Sequence, residues 1–180
     1  GAVSALTRAA QDTGTLWAAT SAGRVFVTAN ANATANTVAW NRVDATSPIA
    51  PGRFVTAFAV DSTNAAHAWV AFNGYNVNTP ATPGHVFEVT WTGGSGATWR
   101  DVSFNLPDFP ITSVVRDDLT GDLYASSDFG VMKLPAGATA WVVAGTGMPM
   151  VEVASLSISS SARVLYAATH GRSAWVMQLP

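Results

Sequence analysis

The chain has 180 residues, of which 48% are hydrophobic and 11% charged, and its formal net charge is −2. Lys133 is the sole lysine, so no basic run exists to meet nucleic acid. With no cysteine there is no disulfide or thiolate metal site within the chain, and no apolar run is long enough to span a membrane as a helix.

Taken in order, the predicted elements are short strands, and they recur. A first strand appears as Val3 to Arg8, Val55 to Val60, Ile111 to Arg116 and Val153 to Ile158, each rich in β-branched or small apolar residues. After a polar turn a second follows, with an aromatic at a fixed place in Leu16-Trp17-Ala18, Ala68-Trp69-Val70, Leu123-Tyr124-Ala125 and Leu165-Tyr166-Ala167. A third starts after a glycine, at Gly23, Gly84, Gly130 and Gly171, and a fourth is headed by Trp40, Trp99 and Trp141. The last copy has no fourth strand. Two insertions interrupt the pattern. Asn30 to Thr37 reads as a hairpin extension, whereas Asn73 to Pro83 is a loop, because Gly74, Pro80 and Pro83 rule out a regular strand.

Four-stranded units at a period of roughly 40 to 55 residues mark an all-β chain built as blades of a β-propeller. The blade boundaries fall near 3–52, 53–108, 109–150 and 151–180, giving three complete blades and one of three strands in a single partial-propeller domain. A blade cannot cover its own faces, so each is buried by its neighbours. The expectation is a segment of a larger ring, completed by a second chain or an upstream segment that supplies the absent outer strand. The loops are rich in Ala, Thr, Ser, Gly and Asn, a composition compatible with a secreted protein, and Asn32-Ala33-Thr34 has the form of a glycosylation sequon.

The series Val70-Ala71-Phe72-Asn73-Gly74-Tyr75, His85-Val86-Phe87, Gly96-Ala97-Thr98-Trp99, Asn105-Leu106-Pro107, Asp128-Phe129-Gly130-Val131 and Ala168-Thr169-His170-Gly171-Arg172-Ser173-Ala174-Trp175 resembles the C-terminal blades of the bacterial sialidase-like propellers with BNR or Asp-box repeats. These are similar in turn to sortilin and to xyloglucanase-type glycoside hydrolases. The resemblance covers about residues 53 to 179. The chain departs from it at the Asp-box: Thr92 to Trp99 has Gly94 where the acid would stand, and Pro135 to Trp141 has no acid at all.

Candidate chemistry is sparse. Glycoside hydrolysis needs two carboxylates facing each other across a sugar, and the chain holds nine Asp and only Glu88 and Glu152. Asp12, Asp61 and the Asp117-Asp118 pair recur at the turn after each first strand and read as turn formers. That leaves Asp128 and Glu152 as the catalytic candidates. For ligand binding the candidates are Tyr75 with Asn73 and Asn76, a composition suited to stacking on and hydrogen-bonding a glycan, and the pair His170 and Arg172 in the last blade. His67 and His85 read as strand or turn residues. Five tryptophans, Trp17, Trp40, Trp69, Trp99 and Trp141, recur at repeat positions and read as core. No metal motif and no cofactor signature is present, and calcium held by scattered Asp side chains and carbonyls is not readable from sequence.

Three functional readings follow. The first is a non-catalytic propeller segment of a secreted protein, offering a binding or assembly surface for glycan or protein. The second, implied by the resemblance, is the C-terminal half of a sialidase-like or xyloglucanase-like glycoside hydrolase. The third is a structural half-ring that completes a propeller with a second chain. The scarcity of acids and the degenerate boxes favour the first.

Overall fold

The computed structural model describes all residues from Gly1 to Pro180. It is all-β, with blades of four, four, four and three antiparallel strands. Blade one comprises β1 (Val3–Arg8), β2 (Leu16–Thr20), β3 (Val25–Thr28) and β4 (Asn41–Arg42). Blade two comprises β5 (Val55–Val60), β6 (His67–Phe72), β7 (Val86–Gly93) and β8 (Gly96–Asp101). Blade three has β9 (Ile111–Arg116), β10 (Leu123–Ser127), β11 (Gly130–Leu134) and β12 (Val142–Val143), and blade four has β13 (Val153–Ser159), β14 (Val164–Thr169) and β15 (Ala174–Gln178). Within each blade the strands are hydrogen-bonded in chain order, as successive hairpins require. The four sheets form a four-blade β-propeller arrangement in which the first strands β1, β5, β9 and β13 pack on one another in sequence.

Alternation along each strand sends side chains to both faces of its blade, so the core is a series of layers between blades. One cluster joins blades one and two around Trp17, Val25, Val43, Phe58, Val70 and Phe87. A second joins blades two and three around Trp69, Val86, Val102, Val114, Leu123 and Trp141. The third, between blades three and four, is smaller and holds Tyr124, Val131, Leu156, Leu165 and Ala167. The strand-two aromatic of each of the first three blades packs at the junction with the blade that follows. Trp17 donates its indole N–H to the carbonyl of Ala65 at 2.9 Å, and the guanidinium of Arg116 lies over Trp69 at 5.2 Å. Hydroxyls on two of the first strands link each to the next: Thr56 of β5 donates to Ile111 O at 3.0 Å and Thr112 of β9 to Val153 O at 2.5 Å, whereas Ser4 at the same place on β1 has no partner.

The remaining faces are open. On blade one Leu6 is 59% exposed, although Phe58, Val114 and Leu156 at the equivalent place are buried. On blade four Tyr166 is 42% exposed, although Trp17, Trp69 and Tyr124 at its repeat position are buried. Val176, paired with Tyr166 across β14 and β15, is exposed as well.

Asn30 to Thr37 is not the hairpin extension that its position suggests. β3 stops at Thr28, and the segment turns through a 3₁₀ helix at Ala35–Thr37. The Asn30 amide donates to Thr37 O at 3.0 Å while its carbonyl accepts from Ala39 N at 2.9 Å. One side chain thus satisfies backbone groups that a ladder would otherwise have to pair.

Candidate binding face

Because the strands alternate in direction, the loops from second to third strand and from each blade to the next gather at one end of the molecule. The turns from first to second strand gather at the other. The two ends treat their polar groups differently.

At the turn end the acids are committed to structure. Asp12 accepts from Gly14 N at 2.9 Å, Asp61 from Thr63 N at 2.8 Å and Asp117 from Leu119 N at 3.2 Å, the same side-chain turn in three blades. Arg163 forks onto Asp117 at 2.6 and 2.7 Å, tying the blade-four turn to blade three. That guanidinium, with the Thr120 hydroxyl, holds the Asp117 carboxyl at about 2. Burial alone would raise Asp61, but hydrogen bonds from Thr63 and His67 and the charge of Arg116 bring it to about 2.

His67 is more than a strand residue. Its Nδ1 meets Asp61 Oδ2 at 2.9 Å and its Nε2 meets Glu88 Oε1 at 2.8 Å, while Arg100 pairs with the other Glu88 oxygen. The hydrogen bond to Glu88, reinforced by that to Asp61 against the cost of burial, raises the imidazole above its ordinary value. A carboxylate in the middle of a strand, as Glu88 is in β7, demands a partner, and this was the available sequence signal for the network.

At the loop end, Arg53 organises the segment that carries Tyr75. Its side chain is nearly buried, and it donates to Asn73 O at 3.0 Å, to Thr79 Oγ1 at 2.5 Å and to Gly84 O. Asn76 is drawn inward: its Oδ1 accepts from Gly84 N at 2.8 Å and from Arg53 at 3.4 Å. Asn73 uses its Oδ1 on Gly74 N at 2.6 Å. Asp108 completes the clamp, accepting from Asn76 N at 2.8 Å and meeting His85 Nε2 at 3.0 Å. Of the three candidates in this loop, only Tyr75, 43% exposed, presents its side chain outward. Near it on the same end the rings of Phe109 and Phe129 stand 4.3 Å apart.

The blade-four loop is differently built. Gly171 at φ +78° and Ser173 at φ +60° make the turn, and Thr169 N bonds to Ser173 O at 3.0 Å across it. His170 Nδ1 meets Glu152 Oε2 at 3.1 Å, and His170 N donates to Glu152 O at 2.9 Å. Glu152, weighed from sequence as an acid by itself, is thus brought together with His170. Arg172 is exposed beside them, its carbonyl held by the Trp175 indole N–H at 3.0 Å. Asp128 sits apart, half-buried in the tight turn between β10 and β11. No group of three or more His, Cys, Asp or Glu side chains is placed to hold a metal ion.

No protein-family model matches the chain, and no curated protein does. Solved structures do. The Swd1 β-propeller domain from Myceliophteria thermophila superposes with a TM-score of 0.70 at 13% identity, covering 99% of this chain and 52% of that one. A GH74 xyloglucanase from Xanthomonas campestris gives 0.63 at 15% identity over 99% of this chain and 29% of its own. An auxiliary nutrient binding protein from Bacteroides thetaiotaomicron gives 0.67 at 11%, covering 94% and 36%. The chain spans about half of the first and less of the other two. At these identities the likeness is one of architecture, and it establishes the chain as β-propeller in fold.

Proposed function

We propose that the chain is a non-catalytic β-propeller sector of a secreted, sialidase-like type whose first role is assembly: the outward faces of blades one and four take up further blades, from a second chain or a flanking segment. The observation that carries this is Tyr166, which stands 42% exposed at the position where Trp17, Trp69 and Tyr124 are all covered by the next blade. The loop end of the completed propeller, with Tyr75, His170 and Arg172 outward, is then the surface offered to glycan or protein. The acids support a non-catalytic role, since Asp12, Asp61 and Asp117 cap turns and Glu88 is held by His67 and Arg100.

The test is the native mass by light scattering beside the denatured mass of every chain present. The expected result is an assembly heavier than one 18.7 kDa chain, or a longer polypeptide that contains it, reduced in mass or stability by Tyr166→Arg. A single 18.7 kDa chain as the whole native species would overturn the reading.

A further inference from the structure

Two of the three fourth-strand tryptophans, Trp99 and Trp141, occupy a repeated slot; Trp40, read from sequence as core, is 43% exposed because no blade stands against that side of blade one. Trp99 packs between blades one and two against Val25, Val43, Ala68 and Val89, and its indole N–H donates to Val43 O at 3.0 Å. Trp141 packs between blades two and three against Val86, Val102, Leu123 and Leu134, and donates to Val102 O at 2.8 Å. The accepting residue is fixed the same way in both, its own N–H bonded to the start of the third strand: Val43 N to Val25 O at 2.9 Å, and Val102 N to Val86 O at 3.0 Å.

The same construction exists a third time. Ala144 N bonds to Val131 O at 2.9 Å, and Val131, Ala144, Leu165 and Met177 stand at the four wall positions between blades three and four. Their places follow from register: Leu165 pairs with Met177 as Leu123 pairs with Leu134 and Ala68 with Val89. Trp175, opposite Ala167, takes the place of Phe87, whose ring lies 6.1 Å from that of Trp99. No fourth-strand tryptophan enters. The walls bound a mostly apolar cleft of about 70 Å³, lined also by the unbranched, adaptable side chain of Met148 beside Met177. Beside the cleft β15 is hydrogen-bonded to β14 only.

We infer that the cleft between blades three and four is a docking slot for a tryptophan carried on an extended strand from outside residues 1–180, which pairs with the open edge of β15 while its indole N–H bonds to the Ala144 carbonyl. Two filled copies of the slot in the same molecule define the occupant's chemistry. This rests on the assembly reading and adds the element that does the joining on blade four. The Met side chains yield to the ring, and the strand gives the blade the outer member that the other three blades have.

A fluorescein-labelled peptide with the sequence of Gly96 to Ser103, a strand that already seats its tryptophan in one slot, is titrated into the 180-residue chain and followed by anisotropy. We expect saturable binding below about 1 mM, at least ~10-fold weaker for the peptide with Trp99→Ala. Ala144→Phe in the protein, which fills the slot from its rim, has a comparable effect, while Val142→Arg on the neighbouring edge leaves affinity unchanged. Where the native sample is already an assembly, Ala144→Phe releases the partner. Equal binding of the Trp and Ala peptides, or none at about 1 mM to a monomeric chain, overturns the slot. The assembly reading stands or falls separately, by native mass alone.

Discussion

The junctions inside this molecule and the two faces at its ends are made from the same repeat positions, yet they live in different surroundings. At the strand-two aromatic site Trp17 and Tyr124 are fully buried, while Tyr166 is 42% exposed. At the receiving site on the first strand Phe58, Val114 and Leu156 are covered, while Leu6 is open. The hydroxyl link runs from Thr56 to Ile111 and from Thr112 to Val153, and ends at Ala154, which has no hydroxyl to offer. The comparison teaches that a blade's sequence encodes an interface, whereas burial is conferred by whatever stands next to it.

The sharpest way to break the comparison is Trp17→Ala against Tyr166→Ala in urea unfolding. The first empties a filled junction and strands the Ala65 carbonyl, and should cost about 3–5 kcal/mol. Next in size is acid. Asp61 and Asp117 titrate at about 2 in the folded chain against an ordinary 3.8, so their contribution is complete above that ordinary value and is lost as pH falls toward 2. Thermal midpoints should drop steeply over that window, and less so in Asp117→Asn. Smaller and local is Arg53→Met, which should leave the blades folded but open the 73–83 loop to limited proteolysis within it.

His67 gives a gentler dependence of the opposite sign. Its raised folded value means the contribution is complete below the ordinary 6.5 and fades as pH rises through the raised one. The urea midpoint should decline across that range in the parent and stay flat in His67→Gln. The smallest effect is Tyr166→Ala in the isolated chain, under about 1 kcal/mol. A cost as large as that of Trp17→Ala would mean that the blade-four face is already covered.

The blade pattern was legible because it is written in period-two alternation and in residues that recur: the four first strands, the aromatic of the second, the glycine before the third. Asn30 to Thr37 was misread since one asparagine satisfying its own loop leaves no periodic trace. Among the candidate site residues, Tyr75, His170 and Arg172 present side chains at the loop end, whereas Asn73 and Asn76 bond within their loop. Composition identified the loop but could not show that Arg53, twenty residues before Asn73, donates to its carbonyl, hydroxyl and Asn76 side-chain oxygens. The Asp61, His67 and Glu88 network escaped for the same reason, since its members lie on three elements of one blade and only folding places them together.

Three packed junctions for four blades also make the molecule a line in the thermodynamic sense. Each interior blade is held from both sides, and each outer one from a single side. Opening should therefore start at the extremities and move inward, so that amide hydrogens of β6 and β10 exchange last while those of β1 and β15 report local fraying well below the global transition.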